Sequence, residues 1–187
     1  MRDDTPEPPL SGAPGPAPVP VTAVNALSPA EFVARFGDVA EHSPWVAEQA
    51  AARRPFTCRD HMIAAFTQAV AEAPEEAQLA LIRAHPDLAG RAAMAGGLTA
   101  DSAREQGGAG LGALTPEEFA RFTDLNTRYL ATFGFPFILA VKGATKQAIL
   151  ASFAERIHNT PKTEFATAML QIARIIRFRL EDRVGTP

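Results

Sequence analysis

The chain carries one cysteine, Cys58, in 187 residues, so no disulfide can form within it and the fold must be held by its core. Its four histidines, at 42, 61, 85 and 158, fall into no CxxC, HExxH or comparable spacing, and no metal site is expected. An excess of positive charge is missing too, with 18 basic residues against 21 acidic ones and a net charge of −3. That balance builds no field for nucleic acid or an anionic membrane. No apolar run approaches the roughly 18 residues of a spanning helix, and the acidic, proline-rich N-terminus is unlike a secretion signal. The closing Gly185-Thr186-Pro187 is not the peroxisomal Ser-Lys-Leu address, so a soluble, cytoplasmic protein is expected. The glycines of "GGAGLG" lack the lysine and hydroxyl residue of a phosphate-binding loop. No internal repeat is visible, which disfavours a solenoid. Strand partners are absent as well: Phe135 to Val141 has strand propensity but nothing similar to pair with, which predicts a buried extended segment or irregular helix.

What is present is helical punctuation. Residues 1–22 hold seven prolines and almost no large apolar side chain, which predicts a disordered Pro/Ala-rich tail ahead of one domain over 23–187. Order is expected from about Asn25, where Ser28-Pro29-Ala30-Glu31 offers an N-cap, a first-turn proline and the glutamate of a capping box. Ser43-Pro44, then Thr57 with Asp60, open further helices, the latter with His61 among its core positions. Pro74 starts another helix, which must stop near Ala84 because Pro86 pushes the residue before it out of the α region. Thr115-Pro116-Glu117-Glu118 repeats the capping box and leads through Phe122, Leu125 and Tyr129 to Gly134 as a left-handed terminator. Thr145 caps a helix running to His158. The last helix, from about Lys162 to Arg183, turns Ala168, Ile172, Ile175, Ile176 and Leu180 inward and reads Arg174, Arg177, Arg179 and Arg183 as a solvated face. The predicted architecture is all-α, a single-domain helical bundle of about eight helices with one buried extended segment.

Chemically useful side chains concentrate between Arg83 and Leu111. His85 stands before Pro86 at a helix end, and Ser102, Glu105 and Gln106 share one face of a short helix. Two readings compete there, because Ser-x-x-Glu is also a capping box that would only satisfy backbone amides. Read as a site, a histidine, a carboxylate, an amide and an arginine supply what a decarboxylation needs: groups that hold the substrate's polar edges and a group that moves a proton. The electron sink would be the substrate's own carbonyl or imine, since no cofactor signature is present. The same parts would also serve a hydrolase or a binding site for a small polar ligand.

"AHPDLAG", "LTADSAREQGGAGL", "YLATFGFPFILAVKG" and "ERIHN", in that order, resemble the 2-oxo-4-hydroxy-4-carboxy-5-ureidoimidazoline (OHCU) decarboxylases of urate breakdown. "SPWVAEQAAARRPF" and "EFATAMLQIARIIRFRLEDR" extend the resemblance over essentially the whole chain after the tail. It implies conversion of OHCU to (S)-allantoin without a cofactor, in a chain that dimerises with itself. Position by position it implies catalytic roles for His85 and Glu105, and substrate contacts from Pro86, Ser102, Gln106, Phe137, Ile138, Leu139, Ala140 and Arg156, the last as a fork on an anionic group. Two alternatives keep the same pocket: a non-catalytic helical binding module for a purine-derived ureido ligand, and a lyase or hydrolase acting on another ureido compound. Intact His85, Glu105 and Gln106 weigh against the first.

Overall fold

The structure, a computed structural model, describes residues 17–90 and 97–186. Among them the chain forms nine helices: α1 Val21–Ala26, α2 Pro29–Phe36, α3 Trp45–Ala51, α4 Arg59–Ala71, α5 Glu75–Ala84, α6 Ala100–Gly108, α7 Pro116–Phe133, α8 Lys146–Arg156 and α9 Pro161–Arg183. The all-α expectation holds. Among the described residues, no helix is long and apolar enough to cross a membrane.

Several helix starts follow directly from local chemistry. Ser28 and Thr115 both close full capping boxes, each hydroxyl accepting from the backbone of the glutamate three residues on, which reaches back to the cap's own N–H. Gly134 ends α7 at φ 74°, a left-handed conformation that a Cβ would disfavour. Other starts differ from expectation. Cys58, not Thr57, is the N-cap of α4 and makes no side-chain cap bond. His61 is exposed rather than in the core, and its Nδ1 accepts from the Thr57 N–H at 3.2 Å. His61, the third helical residue, thus reaches back past the cap much as a capping-box glutamate does.

The ordered chain also begins earlier than its composition predicts. The Val19 N–H donates to the Arg183 carbonyl at 3.0 Å, the Gly185 N–H donates to the Val19 carbonyl at 2.9 Å, and α1 starts at Val21. Val21, within the stretch read as tail, is buried beside Val24, so apolar burial and the Val19 backbone bonds together dock the end of that stretch. The rest of that expectation, residues 1–16, lies outside the described residues.

The long helix α9 organises the domain, packing along α4 and α5, while α3 packs against α2 and α4. Ile172, Ile175, Ile176 and Leu180 form its buried stripe. One aromatic cluster gathers Phe32, Phe36 and Phe66; a second stacks Phe137 on Phe153 at 3.7 Å with Tyr129 edge-on to both. The segment 135–141, which brings Phe137 into the second cluster, runs without regular secondary structure, is largely buried, and has no strand partner among the described residues. Its backbone is satisfied by side chains instead: Arg83 Nε donates to the Gly134 carbonyl at 3.1 Å, Arg156 Nη1 to the Ile138 carbonyl at 2.7 Å, and Gln171 Oε1 accepts from the Ala140 N–H at 3.1 Å. Side chains from α5, α8 and α9 thus hold this irregular segment in place.

Candidate active site

α5 ends at Ala84 because His85 is driven extended, φ −76° and ψ 138°, ahead of Pro86. The turn carries the imidazole back over its own helix, where Nδ1 lies 2.8 Å from the Leu81 carbonyl. A carbonyl only accepts, so Nδ1 bears the proton and Nε2 keeps its lone pair. Nε2 is buried and has no hydrogen-bond partner among the described residues. Burial lowers the pKa of His85 to about 4, with Arg179 and His42 adding to the fall and Glu41 and the Leu81 carbonyl opposing it. Near neutral pH the site therefore holds a neutral imidazole with one unclaimed lone pair.

The loop after His85 is fixed from two sides. Gln106 Oε1 accepts from the Ala89 N–H at 2.9 Å, and Asn126 Nδ2 donates to the Leu88 carbonyl at 2.9 Å. Ala89 sits at φ 53°, a left-handed backbone that a non-glycine residue adopts only when its surroundings impose it. Across the cavity, α6 presents Ser102, Glu105 and Gln106 together, as its spacing predicts. The capping-box reading of Ser102 and Glu105 fails, because Thr99 is the cap: its hydroxyl accepts from the Ser102 N–H at 3.3 Å. The Ser102 hydroxyl is left to turn inward.

Two charged residues of the site were not foreseen. Arg179 is buried, not part of a solvated face, and its Nε and Nη2 donate to the two Glu105 oxygens at 2.8 Å each. Nη2 also reaches Glu41 Oε1 at 2.6 Å and Ser102 Oγ at 3.0 Å, while Nη1 donates to the Val39 carbonyl at 3.3 Å. Burial works against its charge, yet the Glu105 and Glu41 carboxylates hold its pKa above the ordinary arginine value. A sequence signal for Arg179 existed: it lies seven residues after Ile172 and three or four after Ile175 and Ile176, on the buried stripe. Glu41, on the loop between α2 and α3, carried no such signal.

The cavity is lined by the polar residues Glu41, His85, Ser102, Glu105, Gln106 and Arg179 and by the apolar residues Pro86, Leu88, Phe137, Ile138, Leu139, Val141 and Ile175. Its innermost volume of about 20 Å³ has room for about one water, and the cleft opens to solvent. Two expected residues are placed elsewhere. The Ala140 N–H is taken by Gln171. Arg156 is buried behind the 135–141 segment, paired with Glu164 and lying 4.4 Å over the Phe137 ring. Tyr129 and Asn159 also donate to Glu164, so Arg156 belongs to a closed structural network and not to the cavity wall.

A neutral imidazole beside an arginine and two carboxylates, in a cavity also lined by apolar side chains, defines an all-α domain with an acid–base site for a small polar molecule. The chain belongs to the OHCU decarboxylase family, whose model matches residues 25–181. It is 42% identical over 163 residues to the 2-oxo-4-hydroxy-4-carboxy-5-ureidoimidazoline decarboxylase of Haloferax volcanii, covering 87% of this chain and 95% of that one. Among solved structures it is similar to an (S)-allantoin synthase, with a TM-score of 0.71 and 32% identity over 90% of this chain; it spans 54% of that longer chain. An OHCU decarboxylase crystallised in the presence of (S)-allantoin shares the fold, with a TM-score of 0.63 at 22% identity, covering 76% of this chain and 92% of that one.

Proposed function

We infer that this protein decarboxylates OHCU to (S)-allantoin in urate degradation. The observation that carries the reading on the structural side is His85, neutral, buried and with an unclaimed Nε2 in a wall shared with Ser102, Glu105 and Gln106. Family membership supplies the substrate.

The reaction asks for a charge to leave and a proton to move. As the bond to the carboxylate breaks and carbon dioxide departs, its electron pair flows into the ring's own C=N, whose nitrogen is protonated. Loss of the hydroxyl proton and protonation of the neighbouring carbon then give the carbonyl and the new C–H of allantoin. His85 Nε2 is the acceptor for the hydroxyl proton. The imidazolium so formed is disfavoured by the burial that lowers its pKa, which drives the proton onward. Glu105, held by two bonds from Arg179, completes the acid–base pair, and Gln106 with Ser102 orients the ureido and ring amides. Pro86, Phe137, Ile138 and Leu139 close the wall against water, which favours loss of charge as carbon dioxide.

No step requires a metal or an organic cofactor, and turnover is expected to survive exhaustive dialysis against EDTA. A homodimer and a cytoplasmic location complete the proposed reading, the first of them supported by the family resemblance. The test is to supply freshly generated OHCU and follow circular dichroism: optically active allantoin should appear faster than in the uncatalysed control. Racemic product at the control rate would reject the assignment.

A further inference from the structure

Glu41 is the one cavity residue that no motif announced, and its surroundings are unusually constrained. It is 2% exposed, on a loop rather than a helix, and its backbone is left-handed at φ 50°. A non-glycine residue stays in that region only where neighbouring contacts over-determine it. The contacts are its own carboxylate bonds. Oε2 accepts from the Thr99 hydroxyl at 3.0 Å; Oε1 accepts from Arg179 Nη2 at 2.6 Å and from the Ser102 hydroxyl.

The direction of those bonds matters more than their number. A carboxylate only accepts, so Ser102 must spend its single proton on Glu41. One Ser102 lone pair faces Arg179 Nη2 at 3.0 Å, where two N–H hydrogens are shared among Glu41, Glu105 and Ser102. What remains on Ser102, in the cavity wall, is an acceptor and no donor. Glu41 is also the second anion on Arg179, whose other bonds fix both oxygens of Glu105. With Nε and Nη2 committed to Glu105, Glu41 and Ser102, and Nη1 bonded to Val39, the guanidinium has little left to offer a ligand.

We propose that Glu41 is a positioning residue that makes Ser102 a pure acceptor for a ligand N–H, as a ureido group supplies, and locks Arg179 and Glu105 in register for the reaction. The proposal rests on the OHCU reading for the identity of the ligand, while the network itself stands on the geometry. Glu41 sets the direction of one ligand contact but holds both Arg179 and, through it, Glu105, so its loss should fall mainly on kcat, with only a small rise in KM from the single contact at Ser102.

The experiment compares Glu41→Gln and Glu41→Asp with the parent, using OHCU and the full chain. Glu41→Gln keeps the shape but brings a donor, and should lower kcat by roughly 10- to 100-fold, as small misplacements do, with KM within about threefold of the parent. Glu41→Asp keeps the charge and withdraws it by one methylene; a folded variant should lose kcat similarly. In a Ser102→Ala background Glu41→Gln should cost distinctly less than in the parent, because part of its effect passes through the lost hydroxyl. The side-chain N–H resonances of Arg179 report the network without turnover and should exchange faster with solvent in Glu41→Gln. Either variant folded with the parent kcat, a raised KM at unchanged kcat, or full additivity with Ser102→Ala overturns the proposal. An inactive parent with the Arg179 change intact would reject the substrate instead and leave the network standing.

Discussion

His85 combines two consequences of one burial. Its folded pKa of about 4 lies below the unfolded value of about 6.5, so between those values the unfolded chain binds the extra proton. Stability from this group is therefore complete above about pH 6.5 and is lost as pH falls toward about 4, amounting to about 3 kcal/mol at the extreme. Between pH 7 and 5 the ordinary carboxylates have not yet titrated, so the window belongs mainly to histidine. His85→Asn should flatten the fall in denaturation midpoint over that range, measured by urea unfolding at several pH values. An unchanged slope would mean that His85 is not buried as a neutral base. The same pKa leaves Nε2 free to accept a proton at every pH from about 5 upward, so His85 should impose no acid limb on kcat/KM until pH approaches 4.

At the scale of elements, the site is two helix ends and a loop clamped onto α9. Thr99 and Thr115 cap α6 and α7 alike, but only Thr99 also donates to Glu41. Thr115→Ala should cost about 1 kcal/mol in unfolding free energy with kcat unchanged, whereas Thr99→Ala should cost about as much and lower kcat as well. Equal kcat in both would detach the α6 cap from the site. Arg156 tests the extended segment: Arg156→Ala strands the buried Glu164 and releases the Ile138 carbonyl, and should destabilise the fold by about 3–5 kcal/mol. A stable variant whose only defect is a raised KM would return Arg156 to the substrate. What the sequence made legible here was local. His85 follows from Pro86, and the α6 face follows from 3.6-residue spacing. Arg179 was misplaced because its neighbours Arg174, Arg177 and Arg183 suggested a charged face, and its partner Glu41 lies 138 residues away. No local spacing reports such a pair. Arg156 shows the opposite case, since an arginine at a helix end looks available in sequence, while in the fold Glu164, eight residues on, pairs with it.

For the whole molecule, the all-α outline was readable because caps, prolines and apolar stripes agree with one another, while the ends of the domain were not. Composition drew the boundary at residue 22, but α1 begins at Val21 and Val19 bridges to Val184, a contact with the far end of the chain that composition does not report. Removing residues 1–16 should leave melting temperature and turnover within error of the parent. Removing residues 1–22 should lower the melting temperature, because it takes away the pairing with Arg183 and Gly185 and the buried Val21. Equal stability of the two truncations would show that the bridge contributes nothing. The central claim, that a neutral His85 moves the proton in OHCU decarboxylation, is tested most directly by circular dichroism of freshly supplied OHCU with the parent and a folded His85→Asn variant. Asparagine keeps approximate size and polarity but cannot titrate, so the predicted result is optically active allantoin from the parent and a rate at least about 10²-fold lower from the variant. A folded His85→Asn protein producing (S)-allantoin at close to the parent rate would contradict it.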